Sequence, residues 1–300
     1  LSFLTDKVYS AGGSIGSSSE TGSVTGGTTG NRFYLPGKYL QVSDGSTDIK
    51  GTAPENILLL DGTEASYNAV KSRLEAINAA GSSSPPTLVS KLFISGSVPE
   101  GMDQSELLGL LGSHNYVQNL YMEPVKEVPT NWYLFTNGNS TLQSINLPQA
   151  TKIGYNAFNK CTGLTSINLP QVTNIGIGAF VGCGKLASIY LPQVTDIRED
   201  AFFGCTGLKS IVLSGTGTEN SFALPTYDTQ NGLGNYNFSP ENLFLTGVTA
   251  LEDDQITQCR TWGKMTWANI YYNYKGSPSL AEATITELTN PENYTKVTDK

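Results

Sequence analysis

Residues 142–207 contain three consecutive 22-residue stretches that align without a gap. They read LQSINLPQATKIGYNAFNKCTG from Leu142, LTSINLPQVTNIGIGAFVGCGK from Leu164 and LASIYLPQVTDIREDAFFGCTG from Leu186. A fourth copy begins at Leu208 with LKSIVLS and then diverges. Self-similarity at a fixed short period is the signature of stacked structural repeats, so the chain length alone does not set the number of domains.

The first half of each stretch predicts a short β-strand. In Leu-x-Ser-Ile-x-Leu, apolar and polar residues alternate with the two-residue period of a half-buried strand. Pro148, Pro170 and Pro192 end these strands, because proline cannot donate a ladder hydrogen bond. One copy cannot bury its own apolar stripe, so we expect stacked copies to share a continuous core, with parallel strands about 4.8 Å apart.

The second half of each stretch predicts a short helical or 3₁₀ turn, because its apolar residues recur at wider spacing. The matched columns are Ile153/Ile175/Ile197, Ala157/Ala179/Ala201, Phe158/Phe180/Phe202 and Cys161/Cys183/Cys205. Asn156 and Asp200 stand just before the Ala-Phe pair, and Gly178 takes that place in the middle copy. Residues of these types are typical helix N-caps, and we assign them that role.

The cysteine column is predicted to be structural. Residues that recur once per coil stack along the core, where free cysteine behaves as a small hydrophobe, whereas zinc usually requires four ligands with local pairs. We predict a structural ladder of buried, reduced thiols and aromatic rings, made of Cys161, Cys183, Cys205, Phe158, Phe180 and Phe202. The alternative interpretation of this column is a disulfide between cysteines of neighbouring coils. Cys259 lies outside the column and is interpreted as a lone thiol.

Weaker copies extend the array in both directions. The strand pattern recurs at Val117–Met122 and Val89–Ile94, at intervals of 25 and 28 residues, and Ile57–Leu60 is typical of a buried strand. Leu243–Leu245 and Trp267–Tyr272 are predicted as the last strands. A stripe of Tyr67, Val70, Leu74 and Ile77 predicts a helix over 64–80, and 103–111 is a second helical candidate. Residues 31–56 are predicted as loop with short strands, such as 39–42, and 214–240 as a long loop.

The core S-I-x-L-P…I-x-x-x-A-F-x-x-C resembles the BspA-like leucine-rich repeats of bacterial surface proteins and lipoproteins, and of some parasitic protists. The resemblance is specific over 142–213 and weaker over 57–141 and 241–274. It implies an α/β leucine-rich-repeat solenoid, with a curved parallel β-sheet on one face and short helices, 3₁₀ turns and loops on the other. It also implies an extracellular or cell-surface adhesion protein with no catalytic residues to transfer. In some bacterial relatives a lipid-modified cysteine precedes the flexible spacer, which allows a lipid anchor upstream.

On this basis the chain divides into four segments. They are a Gly/Ser-rich lead-in at 1–56, an N-terminal cap with irregular leucine-rich-repeat units at 57–141, regular units at 142–213, and irregular C-terminal units with a cap at 214–300. Residues 11–30 have the composition of a surface spacer. Because the chain begins at Leu1, we expect an export signal to have been removed.

Composition argues against two classes of partner. The net charge of −8 and a pI near 4.7 disfavour nucleic-acid binding, which needs clustered Lys and Arg. The sequence contains no run of 18 apolar residues, so no transmembrane segment is predicted. An unknown extracellular protein or glycan is the expected partner.

A structural role accounts for the candidate catalytic and metal-binding residues better than catalysis or metal binding does. Ser14 lies in a G-x-S-x-G match, but that motif needs a strand before it, a helix after it, and a nearby histidine and acid. The one histidine, His114, is read as a turn residue. The acidic groups 196/199/200 and 252–254 lack the spacing of a calcium loop. We therefore predict no catalytic residue, metal or cofactor, although a surface-associated hydrolytic enzyme and a purely structural spacer remain alternatives.

The best functional prediction concerns the side of the strands that faces away from the core, called the strand face below. One outward column comprises Phe93, Tyr121, Asn146, Asn168, Tyr190, Val212, Phe244 and Tyr271, and the next comprises Lys91, Asn119, Ser144, Ser166, Ser188, Ser210, Asn242 and Asn269. Aromatic rings supply contact area, while amides and hydroxyls supply hydrogen bonds. From these columns we select Phe93, Asn119, Tyr121, Asn146, Asn168, Tyr190, Phe244, Asn269 and Tyr271 as binding residues on the normally concave face. The alternative is that aromatics simply favour strands and that duplication copies Ser and Asn.

Overall fold

The computed structural model describes residues 31–35, 38–42, 49–50, 57–60, 63–79, 89–94, 117–122, 125–130, 138–214, 223–227, 232–234, 240–277, 280 and 283–298. They belong to two compact units, one of residues 1–124 and 141–146, the other of residues 125–140 and 147–300. Ser14, His114, the tract 11–30 and the predicted helix 103–111 lie outside the described residues. The division into four segments stays a prediction.

In chain order the strands are β1 (Asn31–Leu35), β2 (Lys38–Val42), β3 (Ile49–Lys50), β4 (Ile57–Leu60), β5 (Val89–Ile94), β6 (Val117–Met122), β7 (Glu127–Val128), β8 (Ser144–Asn146), β9 (Lys152–Ile153), β10 (Ser166–Asn168), β11 (Asn174–Ile175), β12 (Ser188–Leu191), β13 (Asp196–Ile197), β14 (Ser210–Leu213), β15 (Thr226–Tyr227), β16 (Asn242–Leu245), β17 (Asn269–Tyr272) and β18 (Thr295–Lys296). The α-helices are α1 (Glu64–Ala79), α2 (Asp253–Thr261) and α3 (Ile285–Leu288), and the 3₁₀ helices are η1 (Trp262–Lys264) and η2 (Pro291–Asn293).

The first unit combines a small antiparallel sheet with a parallel one. Strands β1, β2 and β3 pair antiparallel in that order. Strands β4, β5, β6 and β8 pair parallel in sequence order, as the repeat pattern predicted. Helix α1 follows β4 and buries Tyr67, Val70 and Leu74 of the predicted helical stripe, whereas the side chain of Ile77 lies outside the described residues.

The second unit is a solenoid of stacked coils with two parallel sheets. One sheet contains β12, β14, β16 and β17 in parallel, followed by β18, which pairs antiparallel with β17. The other is a row of two-residue strands in the order β7-β9-β11-β13-β15, all parallel. The predicted leucine-rich-repeat solenoid is thus confirmed. The second sheet was not predicted, and its strand β15 lies inside the expected long loop 214–240.

Turns, rather than helices, connect these short strands to the next coil of the regular array. The backbone N–H of Phe158 donates to the carbonyl of Ala179 at 2.8 Å, and that of Phe180 to Ala201 at 2.8 Å. Because these N–H groups bond to the neighbouring coil, they are not available for a helical ladder. Each turn is closed locally by bonds such as Cys161 N–H to the carbonyl of Phe158, at 3.1 Å.

The N-cap assignment of Asn156, Gly178 and Asp200 is wrong. Their φ angles are 52°, 62° and 53°, which is the left-handed region, whereas an N-cap residue is extended. Glycine adopts this conformation freely, and Asn and Asp tolerate it better than other residues. The same three residue types therefore serve a tight turn between coils.

Phenylalanine rings and cysteine thiols stack from coil to coil in the core. The rings of Phe158 and Phe180 stack with centroids 5.3 Å apart, and those of Phe180 and Phe202 at 5.5 Å. Cys161, Cys183 and Cys205 are fully buried and form no disulfide. The Cys183 thiol donates to the carbonyl of Phe158 at 3.3 Å, and the Cys205 thiol to that of Phe180 at 3.0 Å, so both thiols bond to the backbone of the preceding coil.

Candidate functional site

In the first unit, the strand face presents a partly exposed aromatic and amide pair on β6. Tyr121 and Asn119 are partly exposed, and the register places Tyr121 opposite Phe93 on β5 and Asn146 on β8. The Ser144 hydroxyl donates to Asn119 Oδ1 at 2.6 Å. Asn146 is only 5% exposed, so the expectation that it offers surface to a ligand is wrong. The side chain of Phe93 lies outside the described residues.

In the second unit, the accessible part of the strand face lies on β10 and β12. Ser166 and Asn168 on β10, and Ser188 and Tyr190 on β12, are all partly exposed. Burial raises the pKa of Tyr190, and a hydrogen bond with the Thr246 side chain partly offsets this shift. Tyr190 therefore stays a neutral phenol near pH 7, with a ring for contact and a hydroxyl for hydrogen bonding.

The C-terminal segment, residues 283–298, covers the apolar and aromatic column of the strand face on β14, β16 and β17. Val212, Phe244 and Tyr271 are buried in one apolar cluster with Leu288 and Tyr294. The ring centroids of Phe244 and Tyr271 lie 4.7 Å apart, and Phe244 and Tyr294 lie 5.0 Å apart. The prediction that Phe244 and Tyr271 are exposed binding residues is wrong, because the returning chain uses their rings as core.

Local structure holds this segment in place. Strand β18 pairs with β17 and sets Lys296 opposite Tyr271, with Lys296 Nζ 6.0 Å from the ring centroid. The Tyr294 hydroxyl donates to the carbonyl of Leu288 at 2.8 Å. At the start of α3, the backbone N–H of Thr284 donates to Glu287 Oε2 at 2.7 Å, a capping box that lowers the pKa of the Glu287 carboxyl.

The column of small polar residues forms a ladder of its own toward the C-terminal end. Asn269 Nδ2 donates to Asn242 Oδ1 at 2.9 Å, and Asn242 Nδ2 donates to Ser210 Oγ at 3.4 Å. Part of their hydrogen-bonding capacity is thus used between neighbouring strands. Asn269 remains partly exposed, and its binding role stays a prediction.

Asp196 is held by a hydrogen bond and an ion pair, and Cys259 is buried. Asp196 Oδ1 accepts a hydrogen bond from the Thr226 hydroxyl at 2.8 Å, and Asp196 pairs with Arg198 at 3.8 Å. Burial raises the pKa of Cys259 to about 12, which keeps it a protonated thiol at neutral pH. Within the described ranges, no group of three or more His, Cys, Asp and Glu side chains is arranged to hold a metal ion.

A second surface, on the turns, was missed by the sequence reasoning. Tyr155, Ile177 and Phe203 are large apolar side chains with exposed fractions of 45%, 39% and 36%. We call this surface the turn face and define it by these three residues together with Val181. The sequence did contain a signal for this surface. Positions 155, 177 and 199 are equivalent in the three coils and carry Tyr, Ile and Glu, so this column lacks the uniform apolar character of a core column.

Residues 130–226 match the family model described as "BspA type Leucine rich repeat region", in six copies. No curated protein and no solved structure gives a significant match to the chain. Among the described helices, none is both long and apolar enough to cross a membrane.

Proposed function

Because residues 130–226 form a BspA-type leucine-rich-repeat region, we propose that this protein is an extracellular binding protein that engages a protein or glycan through its strand face. Repeats of this type are typically non-catalytic scaffolds for interaction and are typically surface-associated. The proposal includes an adhesive role at a cell surface.

The observation that carries the proposal is the accessible row on β10 and β12. Asn168 and Tyr190 lie on short strands whose opposite sides are anchored in the apolar core by the buried residues Ile167 and Ile189. Binding groups on such a rigid scaffold lose little entropy on complex formation. An amide beside an aromatic ring is a combination that suits a polar, ring-stacking ligand such as a sugar, or a peptide.

In the first unit, Asn119 and Tyr121 repeat this combination on β6. Asn119 already accepts a bond from Ser144, which fixes the orientation of its amide. We treat these two residues as a second candidate contact region. Phe93 and Asn269 complete the proposed binding residues.

The test is to probe the purified chain against an array of glycans and a panel of extracellular matrix proteins. Each hit is then measured by biolayer interferometry. We expect Asn168→Ala to weaken binding about 5- to 30-fold, which corresponds to the loss of about 1–2 kcal/mol from one or two hydrogen bonds. Tyr190→Ala should weaken it further, and its thermal stability is measured in parallel because the ring also packs against the covered cluster.

Asn174→Ala is the matched control, because Asn174 is equally a partly exposed asparagine of the same coil but lies on β11 in the other sheet. The proposal fails if Asn168→Ala and Asn174→Ala change affinity equally. It also fails if no component of either panel binds.

A further inference from the structure

Each regular coil carries an exposed glutamine directly after the proline that ends its first strand. These residues, called the glutamine column below, are Gln149, Gln171 and Gln193. The coils are aligned at this point, because the N–H of Thr173 donates to the carbonyl of Thr151 at 2.9 Å and that of Thr195 to Thr173 at 2.8 Å. The glutamines therefore stand on successive coils, with a step of about 4.8 Å from one coil to the next.

The glutamine column is an exposed feature that all three coils share. Two positions of the 22-residue coil are exposed in every copy. One of them carries Gln143, Thr165 and Ala187, and the other is the glutamine column. Other surface positions have diverged too, since Lys160 is replaced by glycine in the next two coils. Duplication alone therefore does not account for three identical exposed residues.

No structural role explains glutamine at these positions. Among the described residues, the three amides form no hydrogen bond, either with one another or with the rest of the solenoid. Their backbone φ angles lie outside the left-handed region. The threonines two residues later have a visible role, because the hydroxyls of Thr173 and Thr195 each donate to the carbonyl of the preceding threonine at 3.2 Å. The glutamines instead offer a donor and an acceptor each to the solvent.

The surroundings of the column disfavour two classes of partner. The nearest outward position of the second sheet carries Lys152, Asn174 and Asp196. Lys152 lies 3.8 Å from Glu127, and Asp196 lies 3.8 Å from Arg198, so each charge has an opposite charge beside it. A protein partner is usually anchored by aromatic or arginine side chains, and a nucleic acid by clustered cations. The glutamine column supplies neither.

From these observations we infer that the glutamine column binds a neutral linear glycan, which runs along the array and crosses successive coils. An amide matches the hydroxyl groups of a sugar, because both groups donate and accept hydrogen bonds. One sugar unit of a linear glycan is comparable in length to the step between coils, so successive sugars face successive glutamines. This surface differs from the strand face, and the inference does not rest on the ligand proposed there.

The expected affinity is low, because three amides exchange bonds with water for bonds with the sugar. Dissociation constants of about 0.1–1 mM are expected. The column spans about 10 Å at about 4.8 Å per coil. The affinity should therefore rise with chain length up to about three sugar units and then level off.

The first experiment is an NMR titration of the full chain with neutral oligosaccharides of one to about six units, prepared from glucans, xylans, mannans and chitin. Gln171→Ala removes the central amide and should weaken binding about 3- to 10-fold. Gln258→Ala is the matched control, since Gln258 is an exposed glutamine on α2, and it should leave the affinity unchanged. Both substitutions are at exposed positions, so the melting temperature should stay the same.

The second experiment tests the direction of the glycan. Gln193→Ala leaves two adjacent amides, so a trisaccharide should bind the variant only as well as a disaccharide does. The disaccharide itself should lose about twofold, because one of its two positions on the column is removed. Gln171→Ala leaves no adjacent pair and should weaken both sugars.

Three results would overturn the inference. One is the absence of binding by every neutral oligosaccharide at about 10 mM, well above the expected dissociation constant. Another is equal affinity in wild type and in the triple variant Gln149→Ala/Gln171→Ala/Gln193→Ala. The third is an affinity that does not depend on chain length, or that is higher for oligosaccharides of uronic acids. If the glutamine variants bind normally and Asn168→Ala does not, the sugar belongs to the strand face, and the proposed function stands while this inference fails.

Discussion

At Gly176 the backbones of two coils approach so closely that a side chain has no room. A Cβ atom there would lie 2.7 Å from the carbonyl carbon of Gly154 and 2.8 Å from the carbonyl oxygen of Ile153. Both are backbone atoms held by the neighbouring coil, so neither can rotate away. Gly184 of the same coil is different, because the atom nearest to a Cβ at that position would be Thr206 Oγ1 at 3.4 Å, an ordinary contact.

We therefore predict that Gly176→Ala lowers the free energy of unfolding by about 1–3 kcal/mol through overpacking. Gly184→Ala should leave it unchanged or raise it by up to about 1 kcal/mol, because the unfolded chain loses conformational freedom. Urea unfolding followed by circular dichroism measures both. Equal changes in the two variants would contradict the close approach of the coils at Gly176.

Residue identity alone could not settle the conformation at Asn156, Gly178 and Asp200. The spacing of the repeat correctly identified these three positions as equivalent, one before each Ala-Phe pair. Asn, Asp and Gly, however, are favoured both at helix N-caps and in left-handed turns. The deciding factor is tertiary, because the N–H of Asn156 bonds to the next coil, and this contact has no signature in one copy of the repeat.

At the scale of elements, the C-terminal segment determines which part of the strand face is accessible. Residues 283–298 carry no repeat pattern, so nothing in the columns of the array predicted that they would cover Phe244 and Tyr271. The strands β16 and β17 were predicted correctly, since their own alternation is clear. The error concerned their outward side, because a strand's two-residue period shows which residues share a side but not what lies on it.

We predict that Leu288→Ala lowers the free energy of unfolding by about 2–4 kcal/mol, because Leu288 is buried against these rings. Binding of the dye ANS should increase if the segment detaches locally. Thr286→Ala is the control, since Thr286 is exposed on the same helix and should change stability by less than about 0.5 kcal/mol. Similar effects of the two substitutions would show that the segment is not part of the core.

At the scale of the whole molecule, buried thiols make the free energy of unfolding depend on pH in the alkaline range. Burial raises the pKa of Cys161 and of Cys259 from 9.0 to about 12, and a hydrogen bond with Cys205 together with burial raises that of Cys183. The folded state thus holds thiol protons that the unfolded chain releases near pH 9. Their contribution to stability is complete below that pH and is lost as the pH rises toward about 12.

The free energy of unfolding should therefore fall as the pH rises above about 9, at a rate that reflects the number of retained thiol protons. Cys259→Ala should reduce this slope by the share of one proton, whatever its effect on stability at pH 7. Chemical denaturation at pH 7 to 11 in the presence of a reducing agent measures the slope. A slope that is the same in wild type and Cys259→Ala would contradict a raised pKa for this thiol.

The equivalence of the regular coils also bears on how such a chain can change its length. Coils 164–185 and 186–207 pack against each other through equivalent residues. Their phenylalanine rings stack, and the thiol of the second coil donates to the backbone of the first. An in-frame duplication of one coil would therefore meet surfaces already shaped to receive it. Recombination between similar gene segments can add or remove whole coils in this way. The length of a solenoid of this kind can therefore change while the contacts within its core stay the same.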